Sequence, residues 1–448
     1  MIIGAGLGGL MLAILLEKIN APYTIYERAN KVKPLGSILS LNANVLPVFE
    51  QLEMLEDIKK ISLTCSWMDL FDADLKKIAT MRTKKYEAVA GYPALVFARP
   101  DLYNLLLAKV PAEKMVMGKK VIALEQSESG AMIRCSDGST YHGDILVGAD
   151  GAYSAVRQSL YKHMEKKKEL PKSDSENLAL GYISMVGTTG SLDPLKYPQL
   201  KDPECHFAQV IDGTSRHWTC ITIPNNKMCW GVGIQLESAT ASRDQQFRNS
   251  EWGPESIDAM VKEFHGSVCP LGGTMGDLID ATDKDTISKV YLEEKFFETW
   301  HSGRTVLIGD GANNALQDAV ILANCIYEMK SVTAASINDV FKDYYEQRSP
   351  EAKYQFEYSK FIAKLVAGQN WKEKLLRKVV FGCLPEWVQT KGYANSASYR
   401  PQATFLPMVE KRGTGYVRPQ KLSERYAKEQ EMVKAKAQAE PENGATIV

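Results

Sequence analysis

Ile2-Ile3-Gly4-Ala5-Gly6-Leu7-Gly8-Gly9-Leu10 opens the chain and governs how the rest of it is read. Two β-branched residues make a short strand, four glycines within six positions make a tight turn, and the apolar run from Leu10 to Ile19 makes a helix. Gly4, Gly6 and Gly9 match G-x-G-x-x-G. That spacing serves a tight turn, close approach of the backbone to a diphosphate, and close packing of helix on strand. Tyr23–Tyr26 supplies a second strand, and Glu27 follows it 18 positions after Gly9. A carboxylate there suits the ribose hydroxyls of a dinucleotide, while the helix opening at Gly8 turns its positive end to the phosphates. The alternative is a glycine turn beside an unrelated surface Glu, but strand, turn, helix and carboxylate stand here in register.

Two further strand ends carry acids. Asp144-Ile145-Leu146-Val147-Gly148-Ala149-Asp150-Gly151 is an apolar strand running into a turn, followed by Ser154 and Arg157. Arg304-Thr305-Val306-Leu307-Ile308-Gly309-Asp310 is another, entering a helix from about Ala312 to Met329 whose N-terminus suits negative charge. Between them, Val121–Arg134 and Thr140–His142 around Asp137-Gly138 predict an antiparallel meander. Charged Lys162–Ser175 reads as a solvated loop. From Leu178 to about Val290 the pattern is short strands, such as His217–Ile223 and Met228–Leu236, with a helix over Glu255–Phe264. Residues 335–390 read as helical, and the Lys-, Glu- and Ala-rich stretch after Leu422 as an extended, partly disordered tail.

Composition narrows the function classes. Lys plus Arg and Asp plus Glu both count 54, so no global field favours nucleic acid. The eight cysteines show no metal-binding spacing and fit a reducing, cytoplasmic setting. The apolar start lacks a basic flank and a cleavage site, and no run is long enough to span a bilayer. Trp371–Phe381 mixes lysines with Leu, Val and Phe. We expect this helix to pack on the body of the protein, with peripheral membrane contact as the alternative. The six histidines receive no catalytic role.

The glycine turn with Glu27, Arg99-Pro100-Asp101-Leu102-Tyr103-Asn104-Leu105-Leu106, the Asp150-Gly151 turn and Gly309-Asp310 together resemble the group A FAD-dependent flavoprotein monooxygenases, over about the first 345 residues. Gly311–Val320 and Tyr345-Glu346-Gln347-Arg348 look closest to fungal indole-diterpene epoxidase and salicylate-hydroxylase-like members. The resemblance implies an α/β fold: a doubly wound, Rossmann-type FAD-binding domain (1–175 and 291–345), an inserted β-rich substrate domain (176–290), a helical C-terminal section (346–400) and a tail (401–448). It implies that Gly4, Gly6 and Gly9 line the FAD diphosphate, with Glu27 on the adenosine ribose and Arg99 reaching the cofactor. Arg28, Gly36, Gly151, Ala312 and Asn313 join Asp150 and Asp310 around it. The implied chemistry is reduction of FAD by transient NADPH or NADH, activation of O2 on the flavin, and transfer of one oxygen atom to an apolar or aromatic small molecule. The cofactor supplies the reactive oxygen, so no protein nucleophile is required. A dehydrogenase would leave the Asp150 and Asp310 turns without a role.

The pattern departs from the family after Asp310. Gly311 follows directly, where the family carries a loop longer by about ten residues against the flavin ring. The first strand is also short, with only Met1–Ile3 before Gly4. Both features predict weak FAD retention and leave two explanations open, an imperfect gene model or splice form of an active enzyme, or a catalytically impaired flavin-binding or interaction protein.

Overall fold

The computed structural model describes residues 1–33, 35–36, 38–176, 179–235, 254–309, 311–367, 371–382 and 385–439. Ile2–Ile3 pairs in parallel with Ile25–Tyr26 on one side and with Leu146–Gly148 on the other. Met115–Val116 and Thr305–Leu307 extend the ladder in parallel, and the hairpin strand His301–Ser302 closes one edge, giving a six-stranded sheet. Its central strands are short and mostly apolar because both faces are covered: Ile2, Ile25, Val147 and Val306 face helices, while Ile3, Tyr26 and Leu146 face Val121, Ala131, Ile133 and Cys135 of the antiparallel meander. The helix Leu7–Lys18 is buried at ten consecutive positions, Leu7 to Leu16, and packs against the helix Ala312–Tyr327. Those two helices form the centre of the largest hydrophobic core. The meander, Val121–Gln126, Ala131–Cys135 and Thr140–Gly143, forms a separate three-stranded sheet.

The second large sheet has seven strands, in the order Ser288–Glu294, Ala179–Thr188, Lys227–Gln235, Arg216–Ile223, Phe207–Ile211, Trp67–Asp72 and Lys77–Arg82. Period-two alternation divides it into two faces. Met185, Val210, Trp218, Cys220, Trp230 and Val232 point to a core shared with the helices Pro254–Phe264 and Met275–Asp280. The opposite face, carrying Ser184, Gln209, His217 and Thr219, looks toward the first domain across the strand Ile38–Leu41.

Several expectations need correction. The hairpin Trp67–Arg82 lies within the first 175 residues yet completes the substrate sheet, because Phe207–Ile211 offers its free edge in parallel to Trp67–Asp72. Most of Lys162–Ser175 is helical: Ala155–Lys167 continues through it, burying Leu160, Tyr161 and Met164, before a short turn at Lys172–Ser175. The helical section starts earlier than 346, in one 34-residue helix, Ala334–Ala367. The tail is not extended throughout. Ala403, Thr404 and Phe405 are buried against the first domain, and Glu424–Ala439 is a helix whose Arg425 donates to the Tyr327 carbonyl. The helix Trp371–Gly382 does pack beside the helix Ala334–Ala367 and the strand Lys77–Arg82, but it turns Arg377 inward, 7% exposed, and leaves Trp371 70% and Leu375 53% exposed. No helix among the described residues is long and apolar enough to cross a membrane.

The helices Ala312–Tyr327 and Ala334–Ala367 are joined by a buried ion pair. Arg348 Nε donates to Asp318 Oδ1 at 2.6 Å, and Arg348 Nη2 donates to Asn314 Oδ1 at 3.1 Å. Removing the guanidinium leaves a carboxylate stranded in the core. Arg348→Met should therefore cost about 3–5 kcal/mol of stability, read from urea or thermal unfolding, and a loss below about 1 kcal/mol would show the pair to be dispensable.

Candidate functional site

The glycine turn is built at the limit of steric contact. Gly4 has φ +104, and a Cβ there would lie 2.5 Å from the Ala149 carbonyl oxygen. A Cβ on Gly9 would lie 2.1 Å from the Gly4 carbonyl oxygen, so no other residue fits either place. Gly6 differs: its Cβ position meets only the Ala149 oxygen, at 3.9 Å, and otherwise faces open space. Gly6 is also the N-cap of the helix and offers no side-chain cap. The first backbone N–H groups of that helix therefore have no intrahelical acceptor and face the groove, which suits a diphosphate.

Glu27 stands at the end of the second strand, beside the glycine turn. Its Oε2 accepts from Ala5 N and its Oε1 from Ala29 N, both at 2.9 Å, which holds the carboxylate at the strand end with lone pairs to spare for ribose hydroxyls. Arg28, next in sequence, is exposed. Arg99 is the first residue of the helix Arg99–Leu107, a position where the helix dipole disfavours a cation. Its Nη1 donates to the Leu35 carbonyl at 3.1 Å, and its side chain lies 3.0 Å from where a Gly36 Cβ would be, at φ +108. Burial lowers the Arg99 pKa. A half-buried guanidinium held beside a glycine is fitted to an anionic ligand.

Asp150 is first a capping residue. Its Oδ1 accepts from Ser154 Oγ at 2.5 Å, and its Oδ2 accepts from Ala155 N at 2.7 Å and Val156 N at 3.2 Å. Gly151 follows at φ +79 with open space around its Cβ position. Asp310 lies outside the described residues. On either side of it, Gly309 N donates to Asp318 Oδ2 at 2.7 Å and Gly311 caps the helix. At the start of that helix, Ala312 is partly buried against the main core. Asn313 Nδ2 donates to the Ser40 carbonyl at 3.2 Å, while Asn313 Oδ1 is buried without a partner. An orphan acceptor at a helix N-terminus, in line with the glycine turn, is a fitting place for the N–H edge of a flavin ring.

Comparisons with known proteins agree with this groove. A family model described as the FAD binding domain matches residues 1–183. The FAD-dependent monooxygenase ausM of Aspergillus calidoustus is 24% identical over 436 residues, covering 93% of this chain and 90% of its own. The FAD-dependent monooxygenase paxM of Penicillium paxilli is 24% identical over 442 residues, covering 93% and 88%. Over most of its length the chain is similar to FAD-dependent monooxygenases. Its cofactor is FAD. The fold matches that of Klebsiella pneumoniae HpxO, solved with FAD and uric acid, at TM-score 0.70 and 18% identity, covering 89% of this chain and 97% of that one.

The chain carries a second concavity, one that no sequence motif marks. A cavity of about 330 Å³ lies on the free face of the seven-stranded sheet, lined by Ile38, Ser184, Phe207, Gln209, His217 and Thr219 among others. Ile38 belongs to the strand whose Ser40 carbonyl accepts from Asn313, so one strand links the start of the helix Ala312–Tyr327 to the cavity. His217 lies flat over Gly233: a Cβ at that glycine would be 2.3 Å from the imidazole. Burial lowers the His217 pKa, keeping the ring neutral near pH 7. The sequence assigned the histidines no catalytic role, and the structure places His217 on the lining of this cavity. The available signal was the alternation His217-Thr219-Ile221 beside Gly231-x-Gly233, which leaves a flat, partly polar patch on one sheet face.

The two kinds of glycine separate folding from cofactor binding. Gly6→Ala should fold normally but retain FAD at least about tenfold less well, since its methyl group enters only the groove. Gly9→Ala should lose both. Circular dichroism with released-flavin fluorescence distinguishes them, and full FAD retention by Gly6→Ala would show that the diphosphate does not pass that turn.

Proposed function

We propose that this chain uses NAD(P)H and O2 to place one oxygen atom on an uncharged, largely apolar or aromatic small molecule bound in the cavity beside Ile38. The balance is one substrate, one O2, one NAD(P)H and one proton giving oxygenated product, water and NAD(P)+. One observation carries the substrate class: among the described residues the cavity lining contains no Asp, Glu, Lys or Arg, and its single titratable group, His217, is held neutral by burial. An ionised carboxylate or urate entering that space would find no countercharge and would lose its hydration. Phe207, Val186 and Ile221 supply apolar contact, and Ser184, Gln209, His217 and Thr219 supply a few oriented hydrogen bonds.

FAD, when bound, carries two electrons from the nicotinamide to O2. The chain's own residues bind and orient. The glycine turn and the helix behind it hold the diphosphate, Glu27 the ribose, and Arg99 negative charge on the cofactor. Asn313 offers its free oxygen to the ring edge while its amide fixes the strand bearing Ile38, coupling ring position to the cavity wall. NAD(P)H has no nucleotide-binding turn of its own in the sequence, which fits a reductant that visits and leaves.

A second reading, impaired turnover, is favoured by the short Gly309–Gly311 connection and by a separate cavity of about 200 Å³ flanked by Gly151, Ser154, Gly309 and Asn314. The first test is the visible spectrum of the desalted protein, followed by NAD(P)H oxidation with neutral polycyclic substrates and with aromatic carboxylates. FAD near full occupancy and faster oxidation with neutral compounds support the leading reading. A folded, colourless protein supports the impaired one, and preference for carboxylates overturns the assigned substrate class.

The pH dependence follows from the same imidazole. Its folded pKa lies below the ordinary 6.5, so as pH falls past about 6.5 the unfolded chain takes up a proton that the folded chain refuses. Stability should therefore fall below that pH, and His301, also lowered by burial, adds to the trend. His217→Gln should make unfolding free energy flatter between about pH 6.5 and 5, measured by urea titration. An unchanged slope would show that His217 is solvated.

A further inference from the structure

The helix Trp371–Gly382 is amphipathic with its polarity reversed relative to an ordinary surface helix. Trp371, Leu375 and Val379 recur every four residues and form one line along it, exposed by 70%, 53% and 40%. Lys374 and Lys378 run beside that line, and Lys372, also exposed, places its ammonium 5.7 Å from the Trp371 ring centre. The inward side carries the charges that a surface helix would normally show to water. Arg377 is buried and its Nε donates to the Leu365 carbonyl at 2.9 Å, and Glu373 lies one turn earlier on the same side. That hydrogen bond fixes the rotation of the helix, so the apolar line points outward by construction.

We propose that this face docks on an anionic phospholipid surface. The outward side has three lysines and no acidic residue, which complements negative headgroups rather than a neutral or acidic-and-basic protein face. Indole, leucine and valine at the centre with long lysine stems beside them match a helix lying in the headgroup layer, where the stems reach up to phosphate. Twelve residues extend about 18 Å, too short to span a bilayer, so the helix lies in the plane. The next helix, Glu386–Ser396, adds a second indole, Trp387, exposed by 69%. The edge strand Lys77–Arg82, beside which the helix packs, adds exposed Ile78.

The test is co-flotation of the full, FAD-loaded chain with vesicles of phosphatidylcholine alone and of phosphatidylcholine with about 30% phosphatidylserine. The expected result is retention at least about tenfold stronger on the anionic vesicles, weakened by raising salt from about 0.05 to about 0.5 M. Trp371→Ser/Leu375→Ser/Val379→Ser and Lys372→Glu/Lys374→Glu/Lys378→Glu should each abolish it. Dependence of the unaltered chain on lipid charge is read without any variant, so it stands even if a variant misfolds. No retention on either vesicle overturns the proposal, as does equal retention on both. Self-association in analytical ultracentrifugation that the serine variant removes overturns it too, because the face would then be a contact between copies of this chain.

Discussion

The backbone contact between Gly4 and Gly9 is the constraint on which the rest of the fold depends. With a Cβ at either place forbidden by neighbouring carbonyls, the chain can turn from strand to helix within three residues. The turn in turn sets the helix Leu7–Lys18 so close to its neighbour that a Cβ on Gly8 would lie 2.8 Å from Ile308 and 2.9 Å from Ala315. Strand and turn are thus registered by contacts between backbones, and the two central helices by close approach of Gly8 to the Ile308 and Ala315 side chains. A groove is left on the open side of that packing. Gly6 faces it because every other direction is filled.

The same tight packing explains how the short connection at Gly309–Gly311 is held. Asp318, one face of the helix, accepts from Gly309 N and from Arg348, and Tyr344 donates to the Leu307 carbonyl. The strand end is therefore anchored by side chains from two helices rather than by a long loop of its own. A buried pair of this kind is weak evidence for net stability, because desolvation offsets much of its attraction. Its effect is geometric: it fixes where the helix start, with Asn313, stands relative to the strand Ile38–Leu41.

The cofactor groove and the sheet cavity draw on different physics. The groove offers backbone dipoles, one carboxylate and one arginine, all suited to a charged dinucleotide. Across the strand bearing Ile38, the cavity offers apolar walls and neutral hydrogen-bonding groups. With the function proposed above, the single strand between the two would let one molecule hold a polyanion and an uncharged substrate without placing the substrate in the field that binds the phosphates.

The nucleotide half was legible in the residues because its chemistry is local. A glycine turn, the carboxylate 18 positions on and acids after apolar strands are short-range patterns imposed by bond geometry and dipoles, and they survive without knowledge of the fold. The β-rich character of the second part was legible for the same reason, through alternation. Tertiary structure alone decided that the hairpin Trp67–Arg82 crosses to the other sheet, that the tail wraps back onto the first domain, and that His217 faces a cavity rather than a core. It also decided which way the helix Trp371–Gly382 turns, since a pattern of Lys and Leu is compatible with either side inward until Arg377 finds the Leu365 carbonyl. Those outcomes depend on pairings between segments far apart in the chain, whose energies are set by what each edge or face meets and not by the residues next to it.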